Sequence, residues 1–232
     1  ENYERLFSRR SYQKMFSASL TYVLLVVPIS VALGLGSALL ISSLRFGGEM
    51  YKAVFFLPVM ATLLAMAIVW EFALNPIVGV VNDVLRSGCD KSLVYGLLSG
   101  SWLGYEPTTS WYGAACIKKF PLWLGDKQYA LGTIAFIGIW QGFGFNMVLY
   151  LAGLTSVPRE LYHAAHMDGA DSAWERFKLV TWPMLGPTNV FVITISSIRS
   201  FQVFDTVEAL TGGGPSKSTY VMVYAMFEKG VK

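Results

Sequence analysis

The hydrophobic and polar positions of this chain fall into long blocks rather than short amphipathic repeats. Four stretches carry no acidic or basic side chain, and they cover residues 15–44, 53–70, 128–158 and 179–198. A helix needs about 20 apolar residues to cross the hydrocarbon core of a membrane. The second stretch is short, but the chain stays apolar past Glu71 as far as Leu74. The pattern predicts four spans, at about 20–44, 53–74, 129–154 and 186–205, with Pro183 and Pro187 at or before the start of the last.

The overall composition agrees with a membrane protein. Of the 232 residues, 54% are hydrophobic and 14% are charged, which is too apolar for an ordinary soluble domain. Helices buried in a soluble core are the alternative, but such helices are shorter and alternate with polar faces. The first stretch is too long for a cleaved signal peptide and has no small-residue cleavage pattern. We therefore expect an all-α polytopic transmembrane helical bundle that forms a single domain over residues 1–232.

Three connections join the predicted spans. A tight turn at residues 45–52 contains two adjacent glycines. A long loop at about 75–128 is rich in Gly, Ser and Trp and contains both cysteines, Cys89 and Cys116. These cysteines would form a disulfide in an oxidising compartment and stay free in a reducing one, and the sequence leaves both states open. The third connection, residues 156–185, consists mostly of a segment with several charged side chains, residues 157–183.

The third connection has the pattern of a helix-turn-helix that lies outside the bilayer. Pro158 suits the first turn of a helix, and Gly169 is expected to end that helix. Ser172 and Glu175 have the spacing of a capping box for a second short helix, which we expect Pro183 to end. One face of the first helix carries Leu161, Ala164, Ala165 and Asp168, and an apolar stripe on the second carries Trp174, Phe177 and Val180.

The charges of this connection favour a protein partner. An amphipathic helix that lies on lipid headgroups is the alternative. The basic residues are Arg159, Arg176 and Lys178, against the acidic residues Glu160, Asp168, Asp171 and Glu175, which gives residues 157–183 a net charge of −1. Such a segment gains little from an anionic membrane surface, so we expect it to dock on another protein.

The same connection resembles the EAA loop of binding-protein-dependent ABC importer permeases. The pattern of that loop is Glu-Ala-Ala, three residues, Gly, nine residues, Ile-x-Leu-Pro. The stretches ELYHAAHMDGA and FKLVTWP match it at Ala164, Ala165, Gly169 and Pro183. His163 replaces the Glu of the pattern, Trp182 replaces its Leu, and ten residues separate Gly169 from Val180 at the Ile position.

Other stretches resemble the carbohydrate-uptake group of these permeases, which imports sugars, oligosaccharides and glycerol phosphates. They are IWQGFGFNMVLYLAGLTSVPRELY, FQVFDTVEALTGGGP and FFLPVMATLLAMAIVWEFALNPIVGVVN, and the likeness covers about residues 20–220 apart from 87–120. Family members commonly have six spans, so the resemblance implies a type I importer permease whose first span is missing here and whose sixth is cut off near Tyr220. It also implies a multi-pass protein of the bacterial cytoplasmic (inner) membrane, with the EAA loop in the cytoplasm and the 75–128 loop outside.

The resemblance implies a coupling role for the third connection. In such importers this loop inserts as a coupling helix into a cleft on the ATP-hydrolysing subunit. The residues expected to couple are Glu160, His163, Ala164, Ala165, Asp168, Gly169 and Pro183. Because a neutral imidazole does not replace a carboxylate, we expect Glu160 to supply the charge that His163 lacks. The implied partners are two ATP-binding cassette subunits, a second permease subunit in a heterodimer, an extracytoplasmic solute-binding protein and membrane lipid, with no nucleic acid.

No residue of the chain is expected to be catalytic or to hold a cofactor or metal, because the resemblance places ATP on the partner subunits. The stretch GGGPSKS, residues 212–218, has Ser216 where a phosphate loop requires Gly, so it is predicted to be a turn. His163 and His166 could share a metal ion, but no nearby Cys or third His completes a ligand set.

Polar residues within the predicted spans are the candidates for a substrate path, because polar side chains are costly at mid-membrane. Aromatic rings beside amides suit a sugar, and aligned positions in the family face the translocation cavity. Helix packing is the alternative in the third span, where Gly138 and Gly142 have a small-xxx-small spacing, and snorkelling toward the outer surface is the alternative for Arg199. The candidates are Trp140, Gln141, Gly142, Phe145, Asn146, Ser196, Arg199, Ser200 and Gln202.

The predicted function is the membrane-spanning permease subunit of an ATP-driven ABC importer that translocates a sugar or related polyol by alternating access. An importer for polyamines or another small solute is one alternative. An ion-gradient-driven secondary transporter is another, with Glu71 and Asp205 as its only candidate acids, and a structural anchoring subunit is a third. The distribution of Lys and Arg alone favours the opposite orientation, because basic residues are frequent in the segments that the resemblance places outside.

Overall fold

The computed structural model describes residues 10–44, 47–76, 78–82 and 122–231. Its helices are α1 (Arg10–Ser43), α2 (Gly48–Met60), α3 (Leu63–Ala73), α4 (Ala130–Thr155), α5 (Arg159–Met167), α6 (Ala173–Arg176), α7 (Trp182–Met184), α8 (Gly186–Phe201), α9 (Asp205–Leu210) and α10 (Met222–Gly230), with a π-helical segment, Phe177–Thr181, between α6 and α7. The predicted all-α fold class is confirmed. Cys89, Cys116 and the 87–120 part of the long loop lie outside the described residues.

Three apolar segments of the described chain are long enough to cross a membrane. They are Tyr12–Ser43 in α1, Ala130–Thr155 in α4, and Gly186–Leu210, which joins α8 and α9. Helices α2 and α3 give a fourth crossing if they count as one span, although they meet at a bend of 98°. The third predicted span, at about 129–154, agrees with the limits of α4 to within one residue. The first apolar segment begins earlier than the predicted span, and the second is bent.

The first span begins well before residue 20, because its start packs against the end of the chain. Met15 and Tyr22 on α1 are buried in one hydrophobic cluster with Val221 and Tyr224, at the start of α10. The Ser19 hydroxyl accepts a hydrogen bond of 2.9 Å from the backbone N–H of Met222. This partner lies about 200 residues away along the sequence, so local hydropathy does not reveal it.

The second predicted span is broken at Ala61 and Thr62. Thr62 has an extended backbone, and its hydroxyl caps α3 by accepting a hydrogen bond of 3.4 Å from the Ala65 N–H. The Ala61 carbonyl, which the break removes from any helix, accepts a hydrogen bond of 3.5 Å from the side chain of Gln141 on α4. The broken backbone is thus satisfied by a cap and by a neighbouring helix, as backbone at membrane depth requires.

Helix α4 lies at the centre of the bundle and contacts α1, α2 and α8. Gly144 faces the backbone carbonyl of Phe55 on α2, so closely that a side chain there would overlap that carbonyl. Gly34 on α1 also lies close to Asn146 of α4, where a side chain would overlap the Asn146 Cβ. Small residues at helix crossings allow this close approach in membranes.

The stretch after α9 is a turn, as the sequence predicted for GGGPSKS. Gly212 and Gly213 have φ angles of 52° and 75°, which glycine adopts without steric cost. Thr219 is fully buried, and its hydroxyl donates a hydrogen bond of 2.6 Å to the Gly214 carbonyl. This turn joins α9 to α10, which packs on the start of α1.

Candidate functional site

A polar cavity of about 540 Å³ lies between α1, α4 and α8, beside the break that follows α2. Of the predicted substrate-path residues, those that line it are Gln141, Gly142, Asn146, Ser196, Arg199, Ser200 and Gln202. Counting 1.5 Å per residue along a helix, Asn146 lies about 14 Å from the end of α4, and Ser196 about 15 Å from the start of α8. These distances are about half the thickness of a hydrocarbon core of about 30 Å.

Two predicted substrate-path residues, Trp140 and Phe145, do not line the cavity. The Trp140 ring packs edge to face on the ring of Trp70 in α3, with 5.5 Å between centroids. The Phe145 ring lies under the guanidinium group of Arg199, whose central carbon is 3.9 Å from the ring centroid. The aromatic rings that do line the cavity belong to Tyr22 and Phe204.

Asn146 joins three helices beside the cavity, in what we call the polar tie. Its side-chain amide donates a hydrogen bond of 3.4 Å to the Ser30 hydroxyl on α1. Its side-chain carbonyl accepts a hydrogen bond of 3.0 Å from the Ser196 hydroxyl on α8. Asn146 is only 2% exposed. Helix packing, the alternative that the sequence left open, therefore accounts for much of the hydrogen-bonding capacity of Asn146.

Gly138 and Gly142 of α4 were predicted as a small-xxx-small pair that seats a neighbouring helix, and only Gly138 does so. Gly138 does contact a neighbouring helix, through the hydroxyl of Tyr22 on α1. Gly142 has no atom within 4 Å of the position where a Cβ would stand, so it widens the cavity instead of seating a helix. The second close crossing is at Gly144, two residues later.

Several cavity residues were absent from the predicted substrate path, including Tyr22 and Ser30 of α1 and Thr206 of α9. Tyr22, Val26 and Ser30 recur every four residues and so share one face of α1. Ser30 could have been identified from the sequence, because it is a polar residue within an apolar span. Asp205, considered in the sequence only as an ion-coupling acid, also lines the cavity.

The helix-turn-helix of the third connection forms as predicted around Gly169 and Ser172. Helix α5 ends at Met167, and Gly169 has a φ of 90°, which turns the chain back. Ser172 and Glu175 form a complete capping box, in which the Glu175 N–H donates to the Ser172 hydroxyl at 3.1 Å. A hydrogen bond of 3.0 Å between the Tyr162 and Thr181 hydroxyls ties α5 to the π-helical segment.

The two alanines of the predicted coupling face point in different directions. Ala165 is 8% exposed and packs with Val157, Ala170 and Val180 in a small core within the connection. Ala164 is exposed. The other predicted coupling residues are also exposed, namely Glu160, His163, Asp168, Gly169 and Pro183. The surface available to a partner therefore includes Ala164, while Ala165 keeps the two halves of the connection close together.

Pro183 does not end the second helix, contrary to the prediction. Proline lacks the N–H that an α-helix requires at interior positions. The chain accommodates it because the preceding segment, Phe177–Thr181, is π-helical and the Trp182 N–H bonds to the Phe177 carbonyl, five residues back. Helix α7 follows directly and leads into α8 through Leu185. The connection thus continues into α8 with little interruption.

The apolar stripe of the second helix is split between surface and core. Trp174 is 70% exposed and stacks on Phe177, with 5.5 Å between ring centroids. Val180 is buried.

On α5, the imidazole of His166 lies 3.0 Å from a carboxylate oxygen of Asp171. Within the described ranges no cluster of three or more His, Cys, Asp or Glu side chains could hold a metal ion.

Comparison with known proteins identifies the family. The profile of the family described as "Binding-protein-dependent transport system inner membrane component" matches residues 7–228. The trehalose/maltose transport system permease protein MalF of Thermococcus litoralis is 30% identical over 218 residues, which are 94% of this chain and 64% of that protein. The sn-glycerol-3-phosphate transport system permease protein UgpA of Pectobacterium atrosepticum is 26% identical over 231 residues, which are 99% of this chain and 68% of that protein.

Solved structures support the same fold. A bacterial ABC transporter involved in the import of the acidic polysaccharide alginate matches with a TM-score of 0.76 at 20% identity, over 99% of this chain and 71% of the matched chain. The same kind of transporter in complex with an alginate pentasaccharide-bound periplasmic protein matches with a TM-score of 0.74. The chain spans about two thirds of the length of the relatives it matches. With a family match over nearly all of its residues, the chain belongs to the binding-protein-dependent transport system inner membrane components.

Proposed function

We propose that the chain is the membrane-spanning subunit of an ATP-driven importer and that it moves a sugar or related polyol by alternating access. The observation that carries the proposal is the covalent link between the third connection and the cavity. Helix α4 enters the third connection at Thr155 and α8 leaves it at Gly186, and both helices line the polar cavity. A force applied to the connection is therefore transmitted directly to two walls of the cavity.

The lining of the cavity and the named relatives support this solute class. The hydroxyls of Tyr22, Ser200 and Thr206 line the cavity and suit the hydroxyl groups of a sugar or polyol. The rings of Tyr22 and Phe204 border the cavity, and both pack mainly against protein, Tyr22 in the core and Phe204 on Tyr224 and Phe227. The relatives compared above are named for trehalose and maltose and for sn-glycerol 3-phosphate, which are all polyhydroxylated solutes.

The exposed surface of the third connection supports the proposed partners. The exposed face of α5, with Glu160, His163 and Ala164, is proposed to enter a cleft on an ATP-binding cassette subunit, where Glu160 supplies the acidic contact. Two such subunits bind and hydrolyse ATP, so this chain needs no cofactor of its own. A second permease subunit completes the translocation path, and an extracytoplasmic solute-binding protein delivers the solute.

Site-specific crosslinking tests the coupling. In full-length protein with Cys89 and Cys116 replaced by Ser, Ala164→Cys is expected to crosslink to cysteines in the cleft of the ATP-binding cassette subunit, with a yield that changes on ATP addition. Ala165→Cys is the matched control, because Ala165 is 8% exposed and should crosslink poorly.

A second measurement separates this function from an ion-driven transporter. Vesicles that contain the full complex and the solute-binding protein should accumulate a labelled solute only when ATP is supplied on the side of the third connection. Labelling of the Ala164→Cys variant by an external impermeant reagent, or uptake driven by an ion gradient without ATP, would contradict the proposal.

A further inference from the structure

The cavity contains a cationic side chain, Arg199, for which the described residues supply no ion-pair partner. Arg199 and Asp205 are the charged residues that line the cavity in the described structure. Arg199 is exposed to the cavity, and it forms no ion pair with any residue that the structure describes. Ionisable side chains at membrane depth are costly unless they pair, and they usually mark the path of a substrate or ion.

The environment of Arg199 orients its guanidinium group toward a ligand. The central carbon lies 3.9 Å from the centroid of the Phe145 ring, so the flat face of the group is occupied by a cation–π contact. The N–H groups project from the edge of the plane and remain able to donate. A guanidinium edge matches a carboxylate or phosphate through two parallel hydrogen bonds.

The neutral groups near Arg199 also have unused hydrogen-bonding capacity. Among the residues that the structure describes, the side chains of Tyr22, Ser200, Gln202 and Thr206 have no hydrogen-bond partner, although all four line the cavity. The Ser196 hydroxyl, in contrast, is already bonded to Asn146. Of these groups Gln202 is exposed, and its side chain can bind hydroxyls of a solute, as can the exposed carboxylate of Asp205.

We propose that the cavity binds a polyhydroxylated solute that carries a carboxylate or phosphate, and that Arg199 holds the anionic group. A wholly neutral sugar would leave the guanidinium without an ion-pair partner among the described residues, because Asp205 lines the same cavity but forms no ion pair with it. This inference rests on the proposed function, since it names the class of solute for the same site. A carboxylate and a phosphate satisfy the same donors, and the probes below distinguish them.

Protection of a cysteine in the cavity tests this assignment. The reporter is Val203→Cys, at an apolar position that lines the cavity, in the full complex with Cys89 and Cys116 replaced by Ser. The measurement is its labelling rate with a small thiol reagent. The probes form two pairs, a galacturonate disaccharide with a neutral galactose disaccharide, and glycerol 3-phosphate with glycerol. We expect one of the two anionic probes to protect the reporter thiol at a concentration about tenfold or more below the concentration that its neutral counterpart requires. A tenfold difference in affinity corresponds to about 1.4 kcal/mol of binding free energy.

Substitution of the arginine decides whether this preference arises from Arg199. Arg199→Gln should abolish the preference for the anionic probe, and Arg199→Lys should keep part of it, because an ammonium group keeps the charge but loses the planar fork. Lys127→Gln removes a positive charge that does not line the cavity, and it should leave the preference unchanged. Equal protection within both pairs, protection by neither anionic probe, or a preference that survives Arg199→Gln would overturn the inference. Failure of ATP-dependent crosslinking in the Ala164→Cys variant would instead count against the proposed function.

Discussion

Replacing Asn146 by Ala tests whether the polar tie holds the bundle together or binds the solute. The side chain of Asn146 bridges α1 and α8 through Ser30 and Ser196, at 3.4 Å and 3.0 Å. Alanine keeps the Cβ that contacts Gly34, so close packing of α1 on α4 is retained. The change therefore removes the two hydrogen bonds and little else.

The expected loss of stability is modest. Hydrogen bonds between helices in membranes contribute about 0.6 kcal/mol on average and up to about 1.7 kcal/mol. Loss of both bonds should therefore lower the free energy of unfolding by about 1–2 kcal/mol. For a chain of this size, a change of about 1 kcal/mol shifts Tm by roughly 2–4 °C, so we expect Asn146→Ala to lower Tm by about 2–8 °C.

Thermal unfolding of the purified complex in detergent measures this effect, and a second serine provides the control. Ser197→Ala should change Tm little, because the Ser197 hydroxyl bonds within its own helix to the Ile193 carbonyl at 2.7 Å. Ser196→Ala should cost about half as much as Asn146→Ala. The double variant should cost less than the sum of the two, because both single changes remove the same hydrogen bond.

A different outcome would refute the structural role. If Asn146→Ala leaves Tm unchanged but reduces ATP-dependent uptake about tenfold or more, Asn146 acts on the solute directly. Strict additivity of Asn146→Ala and Ser196→Ala would show that the bond between them contributes nothing.

Two further predictions concern helix packing and the third connection. Gly144→Ala places a Cβ against the Phe55 carbonyl and should destabilise the complex by about 1–3 kcal/mol. Gly142→Ala meets no atom within 4 Å and should be neutral or stabilising by about 0.5–1 kcal/mol. Equal Tm values for the two variants would contradict the close crossing. Ser172→Ala removes the acceptor for the Glu175 N–H and should destabilise the helix by about 1 kcal/mol. Amide hydrogen exchange at Glu175 should then accelerate, whereas Ser172→Asp should keep it slow, and identical exchange in both variants would exclude the cap.

The spans that the sequence predicted best are those whose ends are marked by charge and turn residues. Helix α4 begins just after Lys127 and ends before Arg159, and its predicted limits differ from the observed ones by one residue at each end. The longer form of α1 depends on α10, which lies near the other end of the chain. The break at Thr62 depends on a hydroxyl cap within an apolar run, and Thr occurs often enough in spans that its presence alone does not predict a break.

The composition of the cavity was predictable, but the direction of its side chains was not. Polar residues in apolar spans identified Asn146 and Arg199, because such residues are costly unless they face a cavity or a partner. Trp140 and Phe145 were expected to line the cavity because of their residue type. Helix α4 is apolar on all sides, so its sequence carries no periodicity that distinguishes the cavity side from the side facing α3. The packing of Trp140 and Phe136 on Trp70 shows which side faces α3.

The third connection is better suited to moving α4 and α8 together than to separating them. The Ala165 core and the Tyr162–Thr181 hydrogen bond hold the connection as one unit, which continues into α8 through the π-helical segment. Within the polar tie, Asn146 of α4 bonds to Ser196 of α8 at 3.0 Å and to Ser30 of α1 at 3.4 Å, so one side chain links this pair of helices to α1.

Helix α1 packs along α4 and also on α8, and Gly34 allows α1 to lie directly against Asn146. A displacement of the connection should therefore shift α4 and α8 against this packing, with the Asn146–Ser30 bond at the same boundary. Since Tyr22, Val26 and Ser30 of α1 form one wall of the cavity and Asn146 and Ser196 lie on the other, this movement changes the width of the cavity where the solute would bind.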